Sequence, residues 1–467
     1  MGQVRFDDDI GERAPHRFWL IMTERLRESR FVREIAALWS AQAVATILAA
    51  IQGIVVARVL GPRAYGVVGL IGAIPALVFV FFDARAADAA MRFLGEFSAR
   101  GADEQASAFC RFSYTLDLAV GFISLALTAL LAPWAAGHVV HAPELGWFVV
   151  ILAAGLWLRT PAASSEAILI TLGRAHSLGV LQIIIVGTRV GLVLGAVALR
   201  LGIRGVIWGT AIGFAVEGAL MMAAATRLSG QVWGSWVRQS LWPLRSRRRE
   251  IVRFVFFADL GSTLALVAKQ SDVLAVGFFL NPLAAGFYRL ASSLASLGGT
   301  LVGPLQSLLY QRFARYAGRK DINGLRTGVR RAALGICTPL ALLMAIGVIF
   351  VPAGVRLTAG PAYLGAVAAA RVMVGLYATW MAFAWVRPLV LTRDQVRMWA
   401  GVGAVASALS LAGFLLVTPA AGIVGTAWVR LGVNLFVQGS GAFFVLRRLG
   451  VAPSEDLPAS GDDQGGR

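Results

Sequence analysis

The sequence predicts an all-α integral membrane protein of about twelve transmembrane helices, arranged as two pseudo-symmetric six-helix bundles around a central cavity. Three observations carry that expectation. The chain is 58% hydrophobic and only 15% charged, with a mean hydropathy of +0.72, outside the range of ordinary soluble domains. Its charges gather in short gaps between apolar runs long enough to cross a bilayer. A short turn, Leu60-Gly61-Pro62-Arg63-Ala64-Tyr65-Gly66, returns later as Leu280-Asn281-Pro282-Leu283-Ala284-Ala285-Gly286.

Residues 1–34 form a mixed-charge cytoplasmic arm. Within it Phe18, Leu20, Ile21, Met22, Leu26 and Phe31 recur at helical spacing among Arg and Glu, which fits either an interfacial helix or a solvated basic arm. There is no short basic segment followed by an apolar run at the N-terminus, so the chain is expected to start mature and uncleaved. Apolar runs at 35–59, 66–95, 107–132, 145–172, 176–199 and 204–226 make a first bundle, 35–226. A basic cytoplasmic linker follows at 227–250; its Trp-rich part "QVWGSWVRQSLWPLRSRRRE" is long enough for a further surface helix. Runs at 251–280, 286–312, 332–355, 363–391, 398–418 and 421–446 make the second bundle, 251–446, and 447–467 reads as a polar disordered tail.

Alternate gaps divide the positive charge unevenly. One side holds the Arg-rich N-terminal arm, Arg100, the cluster Arg245, Arg247, Arg248 and Arg249, the basic stretch 312–331, Arg393 and Arg397, and the C-terminal Arg447 and Arg448. The other side holds only Arg58, Arg63, Arg200, Arg204 and Arg356. Basic loops stay on the cytoplasmic side, so both termini are expected there.

In the two copies of the turn, Leu, Pro, Ala, Gly and a later Leu (Leu70 and Leu290) align at one offset. Each copy closes the first helix of a half on the same, external side. Pro ends one helix and Gly lets the next begin in close contact, so the recurring turn points to a recurring bundle.

Ionisable residues in a span are costly and usually face a cavity or a partner. Those expected at membrane depth are Asp83, Arg85, Asp88, Asp117, Arg159, Glu166, Arg189 and Glu217 in the first half, and Asp259, Lys269, Asp272, Arg289, Arg371 and Arg430 in the second. Arg85 with Asp88, and Lys269 with Asp272, are i,i+3 neighbours able to neutralise one another. Arg159, Arg189, Arg289, Arg371 and Arg430 have no carboxylate within a turn on their own helix. Each either snorkels to an interface or lines a cavity; together they favour a cleft with excess positive charge. Arginine suits diphosphate through its planar fork of donors, which points to an anionic, phosphate-bearing cargo.

Several classes are disfavoured. The formal net charge of +18 is spread over loops and forms no basic domain, so nucleic acid is not an expected partner. No G-x-x-x-x-G-K-[ST] loop is present, so ATP hydrolysis is not expected. His138 and His141 have i,i+3 spacing but no companion cluster for a metal, and no cofactor is indicated. External loops are short, which argues against an enzyme that must hold an acceptor, and no catalytic residue is assigned. Cys110 and Cys337 sit in or beside separate apolar runs and read as two buried thiols.

The segments "ARVLGPRAYGVVGL" (57–70), "DVLAVGFFLNPLAAGFYRLASSL" (272–294), "LTAGPAYLGA" (357–366) and "PAAGIVGTAWVRL" (419–431) together resemble the polysaccharide transporters, of O-antigen and capsule flippase type, in the multidrug/oligosaccharidyl-lipid/polysaccharide exporter superfamily. The likeness spans residues 35–446. It implies a V-shaped pair of bundles in a bacterial inner membrane that flips a polyprenyl-diphosphate-linked oligosaccharide, with membrane lipids and a polysaccharide polymerase or other assembly proteins as partners. By similarity, cavity cations hold the diphosphate, a role assigned here to Arg85, Arg159, Arg189, Lys269, Arg289 and Arg371. Ion-driven relatives suggest Asp83, Asp88, Asp117, Glu217 or Asp272 for a coupling ion. Two other classes stay open: a multidrug exporter of the same superfamily, which would want an apolar, acidic cavity, and a non-transporting scaffold or enzyme of envelope assembly.

Overall fold

The computed structural model describes residues 13–82, 86–257, 260–300, 302–319, 321–392 and 395–450. Among them the regular structure is helical. The first half contains α1 (Arg13–Phe81), α2 (Ala86–Ala99), α3 (Asp103–His138), α4 (Gly146–Arg159), α5 (Pro161–Thr171), α6 (Ala175–Ala198) and α7 (Gly202–Trp233). The second contains α8 (Arg248–Phe257), α9 (Leu260–Phe279), α10 (Pro282–Gly299), α11 (Val302–Gly318), α12 (Ile322–Ala332), α13 (Thr338–Thr358), α14 (Val367–Ala382), α15 (Val386–Thr392) and α16 (Val396–Gly450).

Eight helical segments among the described residues are long and apolar enough to cross a membrane. Two of them, Val44–Phe81 and Met398–Arg447, bend at Gly61 and Gly422, and each takes in parts of two expected spans. The described residues of the runs expected at 251–280 and 286–312 are helical as well, in α8 and α9 and in α10 and α11. The run expected at 66–95 is helical up to Phe81 and again from Ala86, with residues 83–85 outside the described residues. On the surface Leu130, Ile349 and Leu416 are 77%, 71% and 75% exposed, as suits side chains that face hydrocarbon rather than water.

The turns show why the motif repeats. Gly61 adopts φ 76°, ψ 169°, a left-handed region open to glycine, and Pro62 then starts the second arm of α1. Asn281 reaches a similar ψ, 169°, from an extended φ of −170°, and its Oδ1 accepts the Ala284 N–H at 2.9 Å, capping α10 where the glycine copy has no side chain to do so. Gly360 repeats the Gly-Pro solution at φ 94°, ψ 174° before Pro361. Extended ψ before each proline is what the pyrrolidine ring imposes on its neighbour.

The last glycines of the two copies then face each other. A Cβ on Gly66 would strike the Pro282 carbonyl oxygen, and one on Gly286 would strike that of Pro62. This reciprocal contact packs the second arm of α1 against α10. Around it Val56, Ala57, Tyr65, Val193, Leu290, Val355 and Tyr363 form one buried cluster drawn from both halves, and the Tyr363 hydroxyl donates to the Ala57 carbonyl at 2.8 Å. We call this the turn end of the molecule.

At the opposite end the joint after α7 forms two short 3-10 turns, Trp236–Arg238 and Trp242–Arg247, rather than a surface helix. Trp233, Leu244 and Ile251 tuck into the buried cluster of the first half, and Arg111 donates to the Gln239 carbonyl at 2.6 Å. Arg247 pairs with Glu96 at 2.8 Å and with Glu250 at 2.7 Å, its guanidinium 5.3 and 5.5 Å from the Phe93 and Phe97 rings. The Arg247 guanidinium holds the Glu96 carboxyl below the ordinary carboxylate range. A depressed carboxylate contributes above its ordinary range and loses that contribution as pH falls through its lowered value, so this tie should loosen only in acid. Replacing Arg247 by Ala is expected to raise amide hydrogen exchange across Arg248–Phe257 severalfold at neutral pH; exchange equal to wild type would mean that the apolar contacts alone hold α8 down.

Cys110 and Cys337 are both buried free thiols in separate clusters.

Candidate functional site

A cavity of about 680 Å³ lies among α1 to α7, with Gln270 of α9 contributed by the second half. Its α1 wall is formed by Ala45, Thr46 and Ala49 before the bend and by Ala76, Phe79 and Val80 after it. On both arms these residues lie more than two helical turns from the turn at 60–66, so the cavity sits between the packed turn end and the end that carries the joint. Asp117, Arg159, Glu166, Arg189 and Glu217 are the charged residues of the described wall, beside the amides Gln182 and Gln270.

Local sequence explains how three helices bring Arg159, Arg189 and Glu217 together. Pro161 starts α5 directly after α4, leaving Arg159 at the break; the Thr160 hydroxyl caps the Trp157 carbonyl at 2.7 Å. Facing them, α7 carries Gly213-Phe214-Ala215-Val216-Glu217-Gly218. A Cβ on Gly213 would lie 2.6 Å from Arg189 Cγ, and one on Gly218 would strike the Leu158 carbonyl oxygen. These glycines let α7 approach α6 and α4 closely enough for one carboxylate to reach both arginines. Arg159 Nε lies 2.7 Å from Glu217 Oε1, and Arg189 Nη1 lies 3.4 Å from Glu217 Oε2. The Phe214 ring lies 5.5 Å from one guanidinium carbon and 5.6 Å from the other, within cation–π reach of both.

Of the residues expected from sequence, Arg159, Arg189, Asp117 and Glu217 share this cavity. Asp88 lies on α2, next to the wall residue Ala87. Arg289 lies elsewhere: its guanidinium stacks 4.7 Å over the Tyr65 ring and donates to the Tyr65 carbonyl at 3.4 Å, a strut between the halves at the turn end. Arg371 is exposed on α14. Asp272 is buried, 3% exposed, and it meets a partner from another helix, Arg430, whose Nη1 lies 2.7 Å from Asp272 Oδ2. Arg430 is thereby an interhelical ion-pair partner. Asp83, Arg85 and Asp259 lie outside the described residues, as does the side chain of Lys269.

The described wall does not carry the cation excess that the sequence suggested. Two arginines face three carboxylates, a formal balance of −1 when all are ionised. Sequence reasoning missed Phe214; its signal was an aromatic residue three positions before an intramembrane carboxylate, with glycines flanking the pair. His138 and His141 are occupied by backbone: His138 Nδ1 lies 2.9 Å from the Trp134 carbonyl oxygen and His141 Nε2 lies 3.1 Å from that of Gly277.

Residues 31–316, more than half of the chain, match the model of a family described as polysaccharide biosynthesis protein. Among solved structures, the lipid II flippase MurJ in an inward closed conformation is 14% identical, with a TM-score of 0.68 over 88% of this chain and 87% of that one. A multidrug resistance MATE family transporter of the MOP superfamily, inward-facing, is 16% identical, with a TM-score of 0.64 over 87% and 94%. A mutant of the Vibrio cholerae MATE transporter VcmN is 15% identical, with a TM-score of 0.61 over 90% and 97%. At these identities the likeness is one of fold. No curated protein matches the chain.

Proposed function

Because the chain belongs to the polysaccharide biosynthesis protein family, we propose that it flips a polyprenyl-diphosphate-linked oligosaccharide from the cytoplasmic to the outer leaflet of a bacterial inner membrane, by alternating access. The family match and the fold bear out the resemblance carried by the turn motifs, and the chain is a multi-pass membrane protein. In this reading about twelve crossings form two pseudo-symmetric bundles, related by the repeated turn. The turn end faces outward and both termini face the cytoplasm, as the distribution of arginine supports.

The observation that carries the proposal is the cavity itself. It lies between the packed turn end and the end that carries the joint, and Arg159 and Arg189 converge in it over one aromatic ring. Such a pair supplies planar, charge-assisted donors to a phosphate group, while a lipid tail stays in the bilayer. Polyprenyl-linked lipids are extracted from cells lacking the gene and analysed by mass spectrometry, alongside their surface polysaccharide. The expected outcome is accumulation of a diphosphate-linked oligosaccharide, which also identifies the glycan, together with loss of the surface polymer. Unchanged lipid intermediates would sink the proposal.

A second reading, export of cationic drugs, is favoured by one observation: the three carboxylates Asp117, Glu166 and Glu217 on the described wall. It predicts drug sensitivity in the same cells with normal lipid intermediates.

A further inference from the structure

We propose that Glu217 is an exchangeable counter-ion: it holds the seat between Arg159 and Arg189 that a phosphate-bearing anion takes on binding, and it thereby limits the affinity of the cavity for that anion. The proposal deepens the flippase reading and rests on its assignment of a diphosphate cargo.

The molecule contains an internal comparison that separates a permanent ion pair from an exchangeable one. Asp272 and Arg430 have side chains 4% and 18% exposed and meet at 2.7 Å. Asp272 Oδ2 also accepts the Tyr288 hydroxyl at 3.0 Å, and Oδ1 accepts the Val273 N–H at 2.7 Å. Arg430 reaches Ser292 Oγ at 3.4 Å. Both carboxylate oxygens are filled, and the pair lies inside helix packing. Neither residue lines the cavity at Glu217.

The trio at Glu217 differs on each count. It lines the cavity, with Arg159 45%, Arg189 23% and Glu217 14% exposed. Two cations share one carboxylate, through one contact of 2.7 Å and one of 3.4 Å, although a guanidinium carries five N–H donors. A diphosphate, with more oxygens than a carboxylate, can use donors that Glu217 leaves idle. Phe214 lies against both guanidinium groups, so the seat keeps its shape when the carboxylate swings away. Electrostatics supply the reason for exchange. With Asp117 and Glu166 on the same wall, and Glu166 in electrostatic range of Arg159 and Glu217, the seat has no spare positive charge for a second anion until Glu217 withdraws.

The test uses the full chain in lipid nanodiscs, titrated calorimetrically with inorganic pyrophosphate. Glu217→Gln is expected to tighten binding at least tenfold, about 1.4 kcal/mol, and Glu217→Asp, whose shorter arm cannot span both arginines, to give a smaller gain. Adding Arg159→Gln to Glu217→Gln is expected to abolish the gain. A permanent structural role predicts the opposite pattern: Glu217→Gln and Glu217→Asp bind pyrophosphate no better than wild type, or lower the thermal midpoint without any gain in binding. Either of those results overturns the proposal. If lipid intermediates still accumulate on gene loss, only the counter-ion role falls. If pyrophosphate binding follows the expected pattern but no lipid accumulates, the seat stands and the cargo assignment falls.

Discussion

Asp272→Ala is expected to destabilise the protein by about 3–5 kcal/mol, the range for leaving one partner of a buried ion pair uncompensated. Removing the carboxylate strands the Arg430 guanidinium between α9 and α16 and leaves the Tyr288 hydroxyl without its acceptor. Arg430→Ala should be as damaging, because it leaves a residue 3% exposed whose carboxylate keeps, among the described residues, the neutral donors Val273 N–H and Tyr288 O–H. A double replacement, Asp272→Leu with Arg430→Met, should recover most of the loss, since two apolar side chains of similar volume need no counter-charge. Thermal midpoints and the fraction of monodisperse protein in detergent measure all three. Single variants that melt with the wild type would show that the pair contributes no stability.

Gly66→Ala, and equally Gly286→Ala, should force the turn end apart. The added methyl would overlap a backbone carbonyl, of Pro282 or Pro62, and backbone in a helix start cannot rotate out of the way as a side chain can. Overpacking of this kind costs about 1–3 kcal/mol. In the alternating-access cycle proposed above, that cost falls on the state in which the turns touch. A penalty of about 1.4 kcal/mol moves such an equilibrium tenfold. Spin labels at Arg63→Cys and Leu283→Cys, both exposed positions, measure the separation, and the two native cysteines are buried, which keeps background labelling low. The expected result is a longer distance distribution in either glycine variant and none in Gly95→Ala, where an added Cβ meets nothing within 4 Å. Unchanged distances would mean that the turns do not meet in the membrane.

Much of the scaffold was legible because a bilayer reduces the folding problem to a few local rules. Apolar runs of sufficient length must be helical to satisfy their own backbone, and Gly-Pro and Asn-Pro steps interrupt them for reasons internal to three or four residues. The surface helix expected in the joint became two 3-10 turns, held by Trp233, Leu244 and Ile251, contacts that no local pattern announces.

The candidate site was legible only as an inventory. Arg159, Arg189 and Glu217 stood out because charge is rare at membrane depth, yet they lie on three helices, and nothing in their spacing says that they converge. The same holds for Asp272 and Arg430, which lie 158 residues apart and meet at 2.7 Å. Arg289 obeyed the same sequence criterion as Arg159 and lies at the turn end against Tyr65. Whether an intramembrane cation becomes a strut, a permanent partner or a ligand seat depends on what faces it from another helix.

By itself, then, the sequence determined that this chain crosses a membrane as helices, where those helices bend, and which residues are too costly to face lipid, because each follows from hydropathy and backbone chemistry within a few residues. Only the tertiary structure decided that the two copied turns interlock through Gly66 and Gly286, that Glu217 stands between two arginines, and that Arg430 is already paired, because interhelical approach is set by the packing of residues far apart in the chain.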